Sequence, residues 1–281
     1  MSHSYYSQRS DSNTNPPGLT LDSFKEYFFR IFRNFYSDGY FDEAFGFSCV
    51  DSGEIPGYLK DVELEILTKI RKNNLWPISD SYKNYSEDDL FDVIEFLYMH
   101  VSKPIEGNFH SYNNCGMHWE TFNKEEGQKE FKEKIDNILN IYVERFELSQ
   151  DGEILRKSDK GFEKIFEADI PTKDKTVQER IDASITKFRR HNSSLDDRRQ
   201  AVRDLADVLE LLRPKIKILL SNQDEKDLFN IANNFAIRHL NDKQKTNYDA
   251  LLWLSWMFYV NLSTIHVLLR KINQEDVDPN N

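Results

Sequence analysis

Asp227-Leu228-Phe229-Asn230-Ile231-Ala232-Asn233-Asn234-Phe235-Ala236-Ile237-Arg238-His239 sets Leu228, Ile231, Ala232 and Phe235 at helical spacing and ends on a basic residue and an imidazole. Its neighbours on both sides also read as helices. Upstream, Ser194-Leu195-Asp196-Asp197 opens a helix whose apolar face is Ala201, Val202, Leu205, Val208, Leu209 and Leu212, and Pro214 predicts its end. Before that, Thr176-Val177-Gln178-Glu179 fits a capping box for a helix with Ile181, Ile185 and Phe188, broken at Asn192-Ser193-Ser194. Downstream, residues 247–271 read as the longest helix. Asn222 or Asp224 is the expected start of the helix that carries the quoted stretch. The pattern predicts a helical bundle over residues 175–272, with a flexible tail at 273–281.

The long final helix has 20 residues, Ala250 to Leu269, without a formal charge, which is the length of a membrane span. Ser255, Asn261, Ser263, Thr264 and His266 interrupt it, and basic residues flank both ends, so no orientation is specified. A buried bundle helix, next to or within a dimer interface, is the expectation, and no membrane is expected.

The front of the chain is also mainly helical in pattern. Residues 1–18 are rich in Ser, Asn and Pro and read as a flexible arm. Residues 19–174 read as an N-terminal helical domain. Thr20 is placed to cap a helix carrying Phe24, Tyr27, Phe28, Ile31, Phe32 and Phe35; further helices are expected at about 58–73, 87–101 and 125–144. Residues 103–123 read as loop. The single strand pair expected is a hairpin near 145–156, around Gln150-Asp151-Gly152. A boundary is expected at 169–175, where Pro171 and several charges fall. The fold class is therefore mainly α with one small β-hairpin.

Charge is uneven along the chain. Residues 1–174 hold 33 acidic against 20 basic side chains, whereas residues 175–245 hold 15 basic against 11 acidic. An acidic front repels nucleic acid and a mildly basic back tolerates it. The two cysteines, Cys49 and Cys115, exclude a disulfide scaffold and point to a reducing compartment. Met1-Ser2-His3-Ser4-Tyr5-Tyr6 has no basic segment followed by an apolar one, so no secretory signal is expected and the location expected is cytoplasmic.

The run Leu205-Ala206-Asp207-Val208-Leu209-Glu210, the quoted stretch through His239 and the Trp-rich helix after it together resemble a HEPN domain, of the kind found in AbiJ-like abortive-infection proteins. The front segments Tyr27-Phe28-Phe29-Arg30-Ile31-Phe32 and Gly152-Glu153-Ile154 resemble that group more loosely. The resemblance implies a homodimer and a metal-independent ribonuclease, a toxin in antiviral defence whose partners are RNA, a phage-derived trigger or an antitoxin. It implies an Arg-polar-His motif meeting its copy across the dimer. Here His239 is present, but Asn234 and Asn233 stand where the family has Arg, and Arg238 adjoins the His instead.

The chemistry of those side chains suits RNA cleavage. His239 can serve as base or acid near neutral pH. Arg238 supplies a forked cation for a phosphorane, and Asn234 an amide that positions the substrate. Asn233, Arg198, Arg199 and Arg203 are candidate contacts to RNA, as the basic stretch Arg189-Arg190-His191 is to its backbone. A solvated helix end or face is the competing reading of all of these. No cofactor is expected. His110-x4-Cys115-x2-His118 with Cys49 offers a Cys2His2 donor set, but its spacing matches no established zinc pattern, so the expectation is a structural loop and no metal.

Overall fold

In a computed structural model, residues 18–142, 145–158, 161–221, 223, 224, 226 and 249–277 are described. The chain divides into two compact units between Ile154 and Leu155.

The first unit is built on phenylalanine-rich helices. Helix α1 (Leu21–Ser37) starts where Thr20 Oγ1 accepts the Ser23 N–H, and it buries Phe24, Phe28, Phe32 and Phe35 at successive turns. Burying such a ring contributes about 1.5–3 kcal/mol, so this one face outweighs the cap several-fold. Helix α2 (Asp42–Phe45), strands β1 (Phe47–Cys49) and β2 (Gly53–Ile55), and helices α3 (Val62–Ile70) and α4 (Ile78–Ser81) follow. Helix α5 (Glu87–His100) opens on the reciprocal Ser86–Asp89 box and has Leu90, Val93, Ile94 and Leu97 fully covered. Helix α6 (Lys124–Leu139) adds Phe131 and Ile135, and the Phe131 ring meets Phe35 edge-on at 5.3 Å.

Between α5 and α6 the sequence expectation of a loop gives way to two eight-residue strands, β3 (Lys103–His110) and β4 (Gly116–Asn123), paired antiparallel. Their side chains are mostly exposed or half-buried on both faces, so they lack the apolar alternation that marks a strand in sequence. The pairing itself, with Gly107 opposite Trp119 and Asn108 opposite His118, makes them strands. The hairpin's base is held firmly. Asn123 caps α6 through the Glu126 N–H, and Lys103 Nζ reaches both Glu126 and Glu130 at 2.9 Å. A third pair, β5 (Phe146–Leu148) with β6 (Ile154–Arg156), is the expected hairpin. Among the described residues three strand pairs thus replace the single one expected, while the mainly helical class holds.

The second unit contains α7 (Glu163–Glu167), α8 (Lys175–Arg189), α9 (Leu195–Leu219) and α10 (Ala250–Val277). One core joins Val177, Ile181 and Phe188 of α8, Leu205, Val208 and Leu209 of α9, and Leu254, Phe258, Leu262 and Ile265 of α10. The Phe188 and Phe258 rings stack at 4.0 Å. Ile165, Phe166 and Ile170 pack on this same core, so 169–175 is a connection inside the unit and not the boundary expected from Pro171. Asp174, rather than Thr176, caps α8, accepting from the Thr176 and Val177 N–H groups. Helix α9 continues through Pro214 to Leu219, because Leu212 and Leu220 pack into the core on either side of the proline. At the chain's end, α10 extends to Val277 and Asn273 donates to the Pro171 carbonyl at 2.7 Å, so the expected tail at 273–281 begins as helix.

Ala250–Gln274 is long and apolar enough to cross a membrane by length and composition, and half of its most apolar window is buried inside the unit.

Candidate metal centre

Asn233, Asn234, Arg238 and His239 lie outside the described residues. The three arginines expected to contact RNA are all on α9 and all half-buried. Arg198 lies over the Phe188 ring at 5.1 Å, and Arg199 bonds Asp196 at 2.5 Å. Arg189 is buried, its guanidinium 4.8 Å from the Phe166 ring and its Nε donating to the Arg156 carbonyl. Arg198 and Arg189 therefore serve the core of the second unit.

Among the described residues, the strongest convergence of metal-ligating side chains is in the first unit, at the tips of two hairpins. Strands β1 and β2 are joined by Val50-Asp51-Ser52, and Gly53 takes φ +72°, a left-handed backbone that glycine adopts without strain. This turn brings the N–H groups of Ser52 and Asp51 onto Cys49 Sγ, and these donors hold the thiol down at about 7. In the second hairpin, His110 is opposite Gly116 and Asn108 opposite His118, so His110 and His118 are diagonal neighbours on one face. The reversal at residues 111–115, with Asn113 at φ +49° and Gly116 at φ +101°, turns Cys115 back over them.

Cys49, His110, Cys115 and His118 each present one donor atom, and all four atoms lie within 4.8 Å of one another. Cys49 Sγ is 3.8 Å from His110 Nδ1, and Cys115 Sγ is 3.1 Å from His118 Nε2. The imidazoles meet edge-to-face at 5.1 Å, and Phe47 packs on the His118 ring at 4.8 Å. Outside the cluster, Asp51 Oδ2 stands 3.1 Å from His110 Nε2, so the ring turns Nδ1 toward the thiols. Cys49 is buried and the other three are half-buried.

No known protein family, curated protein or solved structure matches the chain.

Four donors from two hairpins can hold a four-coordinate cation with no protein-free position, an arrangement suited to structure rather than to substrate activation. The signal available in the sequence was that both cysteines of the chain sit in turn-forming surroundings, Cys49 four residues before Gly53 and Cys115 immediately before Gly116. The contribution of Asp51 had no such signal. It depends on the fold of the β1–β2 turn.

Proposed function

We propose that the chain is a HEPN-like ribonuclease of the abortive-infection type, acting on cellular or phage RNA as a cytoplasmic homodimer. The observation that carries this reading is the order of chemistry along a helical unit. The segment with Asn234, Arg238 and His239 is the connection in sequence between α9 and α10, two helices that share one core. His239 would exchange the proton, Arg238 would stabilise the phosphorane, and Asn234 would position the substrate. The exposed Leu252, Trp256 and Val267 of α10, which fall on one face at helical spacing, support pairing of two copies, since exposed apolar side chains on one face favour an interface.

The test is RNA cleavage by the purified chain in magnesium-free buffer with EDTA. Cleavage by the parent and its loss in His239→Ala support the assignment; undiminished cleavage by that variant overturns it. One observation favours a second reading. The motif Arg is replaced by Asn234, and a helical module that binds RNA, a nucleotide or a partner protein without cutting needs no such Arg. That reading predicts no cleavage and salt-sensitive binding.

A further inference from the structure

We propose that Cys49, His110, Cys115 and His118 bind a zinc ion that staples the β1–β2 hairpin to the β3–β4 hairpin. The argument begins with distance. Zinc binds thiolate at about 2.3 Å and imidazole at about 2.0 Å, so donors around a tetrahedral ion lie roughly 3.3–3.8 Å apart. The two Sγ–N separations, 3.8 and 3.1 Å, lie on either side of the roughly 3.5 Å sulfur–nitrogen edge of such a tetrahedron, and all four donors fall within 4.8 Å of each other, so the set closes by about 1 Å at its widest to grip the ion. Two sulfurs and two imidazole nitrogens in this geometry select zinc over hard cations, which take oxygen.

A disulfide between Cys49 and Cys115 would account for the two thiols alone. It would leave unexplained why two imidazoles turn nitrogens onto the same point, and why Asp51 takes the outer nitrogen of His110. That carboxylate–imidazole bond is the usual support of a metal-bound histidine, fixing the tautomer and ring orientation.

The hairpins also need such a link. Strands β1 and β2 are three residues each, and Ser48, Gly53 and Glu54 are exposed, so the pair has little apolar surface to bury. An isolated two-stranded hairpin is marginal in water. At the far tip, Phe109 and Tyr112 are exposed as well. A metal supplies the cohesion that this end of the unit lacks in hydrophobic contacts. Binding converts both thiols to thiolates and releases their protons to solvent; the imidazoles bind neutral. The proposal is independent of the ribonuclease reading and concerns the other unit of the chain.

The experiment uses the full chain purified under reducing conditions without chelator. Elemental analysis should find about one zinc per chain. After removal of zinc, cobalt(II) should restore binding with the intense visible bands of a tetrahedral site and thiolate charge-transfer absorption. Cys115→Ser should weaken binding by more than the roughly 10–100-fold expected for loss of a supporting residue. If Cys115→Ser does not fold, the cobalt spectrum of the parent chain decides. Two freely titrating thiols with no bound zinc or cobalt would overturn the proposal. So would a Cys49–Cys115 disulfide whose reduction restores no metal binding, or full zinc retention in a folded Cys115→Ser, His118→Ala double variant.

Discussion

His110 bonds Asp51 through Nε2 at 3.1 Å, and this one contact decides which ring nitrogen faces Cys49. With Nε2 engaged as the donor, Nδ1 carries the lone pair toward the thiols. Asp51→Ala should therefore keep the hairpins but lower zinc affinity by about 10–100-fold, read by competition with a chelating dye. Unchanged affinity would show that the strand alone orients the ring.

Gly107 is equally important for the cluster without touching it. It pairs with Trp119, and a Cβ there would press on the His118 carbonyl oxygen and the Trp119 Cα. Gly107→Ala should force β3 and β4 apart beside His118 and reduce metal retention, although all four donors remain. The comparison is zinc content after gel filtration, against Gly53→Ala, where nothing lies close to the added methyl and only the left-handed backbone resists. If Gly107→Ala held zinc as well as the parent, the ladder would be less tightly spaced than the structure has it.

Asp42, at the start of α2, has its carboxyl lifted to about 6 by burial. The folded state therefore prefers the protonated acid, and the contribution of this group to stability is greatest at low pH. It declines as pH rises from the unfolded value near 4 through 6. Above that the ionised carboxylate costs at most about 3 kcal/mol, the equivalent of a shift of about two units. Asp42→Asn should stabilise the first unit at pH 7.5, with the gain falling by about half at pH 5, in urea unfolding curves. Destabilisation at pH 7.5 would mean that the charged form is the one the fold uses.

His266 is buried on α10, and among the described residues neither ring nitrogen has a hydrogen-bond partner. Burial first, and the charge of Arg270 second, lowers its pKa. Here the sign is opposite to Asp42. The contribution is complete above the unfolded value of about 6.5 and is lost as pH falls through the lower folded value. The second unit should weaken on acidification below about pH 6.5, and His266→Leu should flatten that dependence. The same change removes two unsatisfied nitrogens, so it should also be neutral or stabilising at pH 7.5. Thermal unfolding at the two pH values checks both effects, and an unchanged acid slope in the variant would assign the titration to another group.

Helices were legible in this sequence because their signals are local. Thr20, Ser86 and Ser194 each stand at a helix start, and the apolar residues within each helix recur at three- and four-residue spacing. The cap reading fails at α8, where Asp174, two residues before Thr176, takes the role, since the choice depends on where the chain enters the turn. Pro214 misleads for a related reason. A local penalty of about 3 kcal/mol ends an isolated helix but is offset when Leu212 and Leu220 are buried on either side. Strands β3 and β4 were invisible because neither face is consistently apolar.

The amino-acid pattern by itself determined a mainly helical chain with a phenylalanine-faced first helix and an apolar last one, since those features repeat within a turn or two. Tertiary structure alone decided that Cys49 meets His110, 61 residues further on. Donor convergence at that separation depends on the register of two hairpins and the turns between their strands. Neither is written in residue spacing along the chain.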